Sequence, residues 1–215
     1  ELEDYISSVL TSTSDNIFEE YSPRQVTSIY FDTFDLKFVK QNLDGESNRF
    51  KFRIRHYDKS ICSFSDAVLE IKYKLAAIGY KKIYKIEQPF TLDYKLNLKD
   101  IFKSNPLPNQ LSDFYNWLQP TLAVSYFRKY YKSINLQYRA TLDTNIIYQS
   151  IEQISKNNPF SYSNSHRETY AVLEVKYDNV YEMNNYMSEL NLPLRLSRNS
   201  KYVRGLSLLG KIKFD

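Results

Sequence analysis

Asn48-Arg-Phe-Lys-Phe-Arg-Ile-Arg-His-Tyr57 is the stretch that decides the fold. Arg49, Lys51, Arg53 and Arg55 stand at every second position, with Phe50, Phe52 and Ile54 between them. Side chains alternate sides along a strand, so this period of two puts the cations on one face and the apolar groups on the other. Working outward, the same alternation returns. In 67–75, Glu70, Lys72 and Lys74 oppose Leu69, Ile71 and Tyr73. In 136–145, Arg139, Thr141 and Asp143 oppose Tyr138, Ala140 and Leu142. In 169–177, Glu174 and Lys176 oppose Leu173 and Val175, and in 122–132 Tyr126 and Arg128 share a face. Segments 26–33 and 79–87 complete a set of predicted strands.

Helical spacing predicts helices over 1–11, 34–42, 110–118, 180–190 and 198–209. In the third, Phe114, Trp117 and Leu118 read as core. Residues 104–109 and 155–166 read as loops. The expected class is α+β: a mostly antiparallel sheet or barrel with helices packed outside. The 20 Tyr and 13 Phe against 4 Gly agree with extended, β-rich structure.

Composition narrows the setting. The 215 residues suffice for one domain with a substantial core, and 42% hydrophobic with 25% charged residues is a globular balance. No apolar run approaches the roughly 20 residues that span a bilayer. Cys62 is the one cysteine, so no internal disulfide forms. It reads as an inert buried thiol in a reducing, cytoplasmic compartment. Glu1-Leu-Glu-Asp-Tyr5 reads as the interior of a helix, and a further segment is expected before it.

The net charge of +4 says little, but its distribution says more. A solvated outer face would account for charged alternation alone. Here the polar faces are mostly Arg and Lys, and Glu-x-Lys occurs twice, at Glu70/Lys72 and Glu174/Lys176. Arg also dominates the densest strand, and its rigid fork suits phosphate. Curled into a barrel, these strands would aim cations at one another and repel unless an anion sat among them. Glu174 and Glu70 then have two readings: ligands of a divalent cation between carboxylate and phosphate, or charge partners of a neighbouring Arg or Lys.

Seven stretches in order resemble the VTC domain, the polyphosphate polymerase module of the CYTH-like triphosphate tunnel metalloenzymes. They are Ser28-Ile-Tyr-Phe-Asp-Thr33, Arg49 to Tyr57, Leu69-Glu-Ile-Lys72, Val124-Ser-Tyr-Phe-Arg128, Arg139-Ala-Thr-Leu-Asp143, Val172-Leu-Glu-Val-Lys176 and Ser200-Lys-Tyr202. The resemblance implies an antiparallel β-barrel tunnel of about eight strands, of which seven are visible here. The first strand would lie before Glu1. It implies binding of ATP, triphosphate and inorganic polyphosphate, and phosphoryl transfer with a divalent metal, Mn or Mg. Carried over by position, Arg53, Arg55, Lys72, Arg128 and Lys201 would do the phosphate chemistry. Tyr126, Arg139, Lys176 and Ser200 would bind substrate, and Glu174, with Glu70, would hold metal. A further lysine belongs on 79–87, and Lys81 and Lys82 both fit.

Three other activities compete. The same tunnel could hydrolyse tripolyphosphate or a nucleoside triphosphate, with Glu70 as the base. It could bind polyphosphate without turnover. Nucleic-acid binding is not expected, because the cations lie on barrel-forming strands rather than in an aromatic-rich groove. A membrane-associated partner protein fits the resemblance. Mutual repulsion among the cations predicts that removing Arg53 and Arg55 leaves the fold intact or more stable.

Overall fold

The computed structural model describes residues 2–12, 17–57, 63–76, 78–92, 96, 98–102, 116–134, 138–151, 154, 165–177 and 197–213. Helix α1 (Leu2–Thr11) leads into β1 (Ile17–Asp32), α2 (Lys37–Leu43) and β2 (Arg49–His56). Then come β3 (Ser63–Phe64), β4 (Val68–Leu75), β5 (Ile78–Lys85), β6 (Phe90–Thr91) and α3 (Leu98–Ile101). Strands β7 (Gln119–Ser133), β8 (Tyr138–Ser150), β9 (Ser165–Arg167) and β10 (Val172–Tyr177) follow, and helix α4 (Lys201–Leu208) comes last.

The main sheet has eight strands in the order β10-β8-β7-β1-β2-β4-β5, with β9 also paired to β8, while β3 and β6 form a separate pair. The pairs β1–β2, β2–β4, β4–β5, β8–β9 and β8–β10 are antiparallel. The α+β, mostly antiparallel expectation therefore holds. Closure does not: among the described residues no pairing joins β10 to β5, so the sheet is open. The β5 edge carries Lys81, Lys82 and Lys85, the kind of charge that discourages strands from adding at an open edge.

The chain divides into two compact units. The larger comprises Gln25–Ser125, Ile147–Arg167 and Asn199–Asp215. Its core is the apolar face of the strands, with Ile29, Phe31, Phe52, Ile54, Leu69 and Ile71 all at most 1% exposed. The alternation read from the sequence builds this layer. Phe38 of α2 packs on Phe52 with ring centroids 5.3 Å apart. The smaller unit comprises Glu1–Arg24, Tyr126–Ile146 and Glu168–Arg198. There Ile6 and Leu10, one helical turn apart on α1, bury with Ile17, Tyr131, Ala140 and Leu142. Ser7 Oγ lies 2.7 Å from Tyr131 Oη, which fixes α1 to β7 within that unit.

Two local devices hold the larger unit's helices in place. Helix α2 is entered through Leu36 in the left-handed conformation (φ 58°), with no side-chain cap of its own. Asp32 supplies the cap from the end of β1. Its carboxylate accepts from the backbone N–H of Thr33, Phe38 and Val39 at 2.8, 2.9 and 3.0 Å and from Tyr202 Oη at 2.8 Å. This buried acceptor gives the Tyr-Phe-Asp-Thr stretch a structural role. Helix α4 starts at the N-cap Ser200 and approaches the sheet at Gly205. A Cβ there would meet Tyr148 and Leu122 at 2.5 and 2.6 Å. Gly205→Ala is therefore expected to cost about 1–3 kcal/mol by overpacking, read as a lowered thermal midpoint. An unchanged midpoint would show that α4 can withdraw freely.

The remaining differences from the sequence reading are local. Strand β1 begins at Ile17, nine positions before the expected 26, because Glu19-Glu20 and Ser22-Pro23 mask its period. Trp117 is 72% exposed rather than core, while Leu118 is buried. Asn116-Trp117 form a turn, so helical spacing does not apply there. Phe114, the expected helix 180–190, the loop 104–109 and Cys62 lie outside the described residues. No described helix is long and apolar enough to cross a membrane.

Candidate functional site

Register turns the alternation of the larger unit into a cationic surface. Tyr30 pairs with Arg53 and Ser28 with Arg55 across β1–β2. Arg49, Lys51, Arg53 and Arg55 face Lys74, Lys72, Glu70 and Val68 across β2–β4. Lys72 in turn faces Lys81 on β5. Residues directly opposite on an antiparallel pair project to the same side, so these groups share one face. The register also puts the two candidate lysines of β5 on opposite faces, with Lys81 on the cationic one. Lys82 pairs with Ile71 and lies on the other face, its Nζ 5.9 Å from the Tyr73 ring centroid.

Glu70 sits at the centre of this face and is buried. Arg53 donates from Nε to its Oε2 at 2.6 Å, and Arg53 Nη2 is 2.5 Å from the same oxygen. Lys81 Nζ reaches Oε1 at 2.6 Å, and Arg55 Nη1 lies 3.8 Å from Oε2. Burial alone would raise the Glu70 pKa. The Arg53 and Arg55 charges and the Lys81 bond outweigh it and hold the carboxyl down at about 2. Glu70 is thus an ionised carboxylate paired with cations.

Three residues outside the sequence-derived set belong to this surface. Lys51 Nζ donates to Ser200 Oγ at 3.0 Å, tying β2 to the start of α4 beside Lys201. Burial lowers the basicity of Lys51; Tyr30 opposes this, while Arg53, Arg49 and Lys201 add to the lowering. Tyr30 is buried, receives Arg53 Nη1 at 3.4 Å and stacks on Tyr202 at 4.8 Å. Burial would raise its phenol, but Arg53, Lys51 and Arg55 bring it down to about 8. Tyr202 moves the opposite way, since burial and Asp32 both raise its pKa. The period of two did place Lys51 beside Arg53. Nothing in the sequence showed that Tyr30 would face the arginines.

The smaller unit holds the other expected residues. Arg128 grips Asp143 through its Nε–Nη2 edge at 2.5 and 2.7 Å, and its guanidinium carbon lies 5.1 Å from the Tyr126 ring centroid. Burial works against the Arg128 charge, yet the Asp143 bond outweighs it and the pKa is raised. Glu174 pairs with Thr141 and Lys176 with Arg139 across β10–β8. Lys176 Nζ lies 3.5 Å from Glu174 Oε1, with side chains 60% and 47% exposed, a pair weakened by solvent. Among the described residues no cluster of three or more His, Cys, Asp or Glu could hold a metal unaided. A single accessible carboxylate such as Glu174 still fits a cation carried mainly by phosphate oxygens.

The family model of the VTC domain matches residues 1–210, almost the whole chain. The chain belongs to the VTC domain family. A search of curated proteins found no match. Among solved structures, this VTC domain is similar to a Hippeastrum protein named for adenylyl cyclase and described as having a dominant triphosphatase activity. That likeness has a TM-score of 0.52 at 12% identity, covering 96% of this chain and 90% of the other. A Pyrococcus horikoshii protein matches with a TM-score of 0.51 at 13% identity, covering 95% and 93%. At such identities the likeness concerns the fold alone.

Proposed function

We propose that this VTC domain binds the phosphate chain of ATP and of polyphosphate on the cationic face of its larger unit and transfers phosphoryl groups as a polyphosphate polymerase. The observation that carries this reading is the gathering of Arg53, Arg55 and Lys81 on Glu70, with Lys51 and Lys72 on the same face. In the transfer, a terminal oxygen of the acceptor phosphate bonds to the donor's γ-phosphorus. The bond from that phosphorus to the bridging oxygen breaks, and ADP leaves with the electron pair. Arg53, Arg55, Lys72 and Lys201 hold and neutralise phosphate oxygens, so the protein's part is positioning and charge stabilisation. Within the smaller unit, Arg128, with Tyr126 and Arg139, is assigned to phosphate and Glu174 to the divalent cation. When bound, that cation would offset negative charge on phosphate oxygens.

Glu70 bears on the choice between polymerase and hydrolase. An acceptor phosphate is already ionised and needs no base, whereas attack by water does. A carboxylate held near pKa 2 by three cations is a poor base, which supports phosphate as the acceptor. The triphosphatase activity described for the Hippeastrum relative keeps hydrolysis as the second reading. The deciding experiment incubates the protein with ATP and Mn²⁺ or Mg²⁺ and separates the products. Long polyphosphate, lost on Glu174→Ala, is expected. Orthophosphate alone would establish the hydrolase, and no turnover with any divalent metal would leave a binding module.

A further inference from the structure

One rung of the larger unit runs through three strands. Tyr30 on β1 stands opposite Arg53 on β2, and Arg53 stands opposite Glu70 on β4. The Arg53 guanidinium reaches Glu70 from Nε and from Nη2, both onto the same oxygen, Oε2. A grip on one atom lets a planar group pivot about it. Tyr30 supplies a second point, since its Oη accepts from Nη1 at 3.4 Å, at another corner of the plane. The phenol is itself held. Tyr30 is buried, and its ring lies on that of Tyr202 of α4 at 4.8 Å, with 17° between the planes. Tyr202 Oη donates to Asp32 at 2.8 Å, and Thr121 Oγ1 donates to the Tyr30 carbonyl at 3.1 Å.

We propose that Tyr30 is a positioning residue for phosphate binding: its neutral phenol locks the plane of Arg53, and its phenolate competes with phosphate for that guanidinium. The inference rests on the function proposed above and deepens it by adding a proton-dependent control. Two-point recognition of phosphate depends on the plane of the guanidinium fork, so a residue that fixes the plane acts on affinity through Arg53. The surrounding charge gives the phenol its second role. Arg53, Lys51 and Arg55 act on it from β2, and Tyr202 packs against it from α4, beside Lys201. Glu70 lies beyond Arg53, and Asp32 lies beyond Tyr202. Burial alone would raise the phenol's pKa, and the three β2 cations bring it down to about 8. A phosphate chain bound among the same cations would raise it again. Binding therefore favours the protonated phenol, and affinity falls as the pH rises through about 8.

The test is calorimetry of tripolyphosphate binding to wild-type protein and to Tyr30→Phe, at pH 7 and at pH 9. The Phe ring keeps the stack on Tyr202, so a role in packing alone would leave affinity and pH profile unchanged. At pH 7 the variant is expected to bind at least about threefold more weakly, because Arg53 loses its second anchor. From pH 7 to pH 9, wild-type affinity is expected to fall by up to about tenfold more than that of the variant, the effect of ionising one group near pH 8. Equal affinities at pH 7, or an equal fall in both proteins, would overturn the assignment; an equal fall would place the titration on Lys51 or on the ligand. A second measurement needs no variant. Ultraviolet titration of wild-type protein should show a tyrosine ionising near pH 8 that moves upward with saturating tripolyphosphate. The absence of that shift would also overturn the assignment. Failure of wild-type protein to bind tripolyphosphate at pH 7 would overturn the function proposed above, and this inference with it, whereas binding with identical profiles overturns this inference alone.

Discussion

Replacing Arg53 and Arg55 with alanine should weaken tripolyphosphate binding by at least about 100-fold in calorimetry. Each guanidinium contributes charge-assisted hydrogen bonds worth about 1.5–3 kcal/mol, and two are lost. The same variant should also be less stable, against the sign that repulsion among the cations gives. Glu70 is buried, and the arginines are its main counter-charges. Breaking a buried pair by removing one side costs about 3–5 kcal/mol. Lys81 stays on Oε1, which puts the loss near the lower end. The pH dependence separates the two arguments. In the native protein the Glu70 pKa lies near 2, below its ordinary 4.5. Its stabilisation is therefore complete above about 4.5 and fades as the pH falls toward 2. In the variant desolvation is opposed by Lys81 and no longer by the arginines, so the folded pKa moves up toward the unfolded one and the gap between variant and wild type narrows on acidification. Urea unfolding at pH 7 and pH 4 measures both. A variant as stable as wild type at pH 7 would restore the repulsion argument.

Arg128→Ala should be the costliest single change in the smaller unit. Asp143 is 1% exposed and would lose both guanidinium bonds, and Tyr126 would lose its cation. About 3–5 kcal/mol is expected in chemical denaturation. Arg128→Lys should recover only part of it, because a single ammonium cannot replace a two-point fork. A loss under about 1 kcal/mol in the alanine variant would mean that Asp143 is neutralised by other means. If Arg128 also binds phosphate, as its position in the family's order implies, the alanine variant tests stability and affinity together. The lysine variant helps to separate them.

The strands carrying the cations were legible because a period of two survives wherever one face is buried. Phe50, Phe52 and Ile54 had to alternate with Arg49, Lys51, Arg53 and Arg55 for the sheet to have a core. The first half of β1 was not legible, since exposed Glu and Pro replaced the apolar half of its pattern. Trp117 was misplaced because a turn, set by its surroundings, broke the helical spacing. The open sheet is a similar case. Whether two end strands meet is decided by strand number and curvature, and no single strand's pattern contains either.

By itself, then, the sequence determined the alternating strands, the family and the identity of the cations, all properties of local period and order along the chain. The tertiary structure decided where those cations stand. Cross-strand register put Glu70 between Arg53 and Lys81, placed Lys81 rather than Lys82 on the cationic face and set Lys51, Lys72 and Lys81 in one row. It also brought Ser200 to Lys51 from 149 residues away. A one-residue slip in any pairing would turn a different set of side chains to the site, and only the packing of the core fixes which register wins.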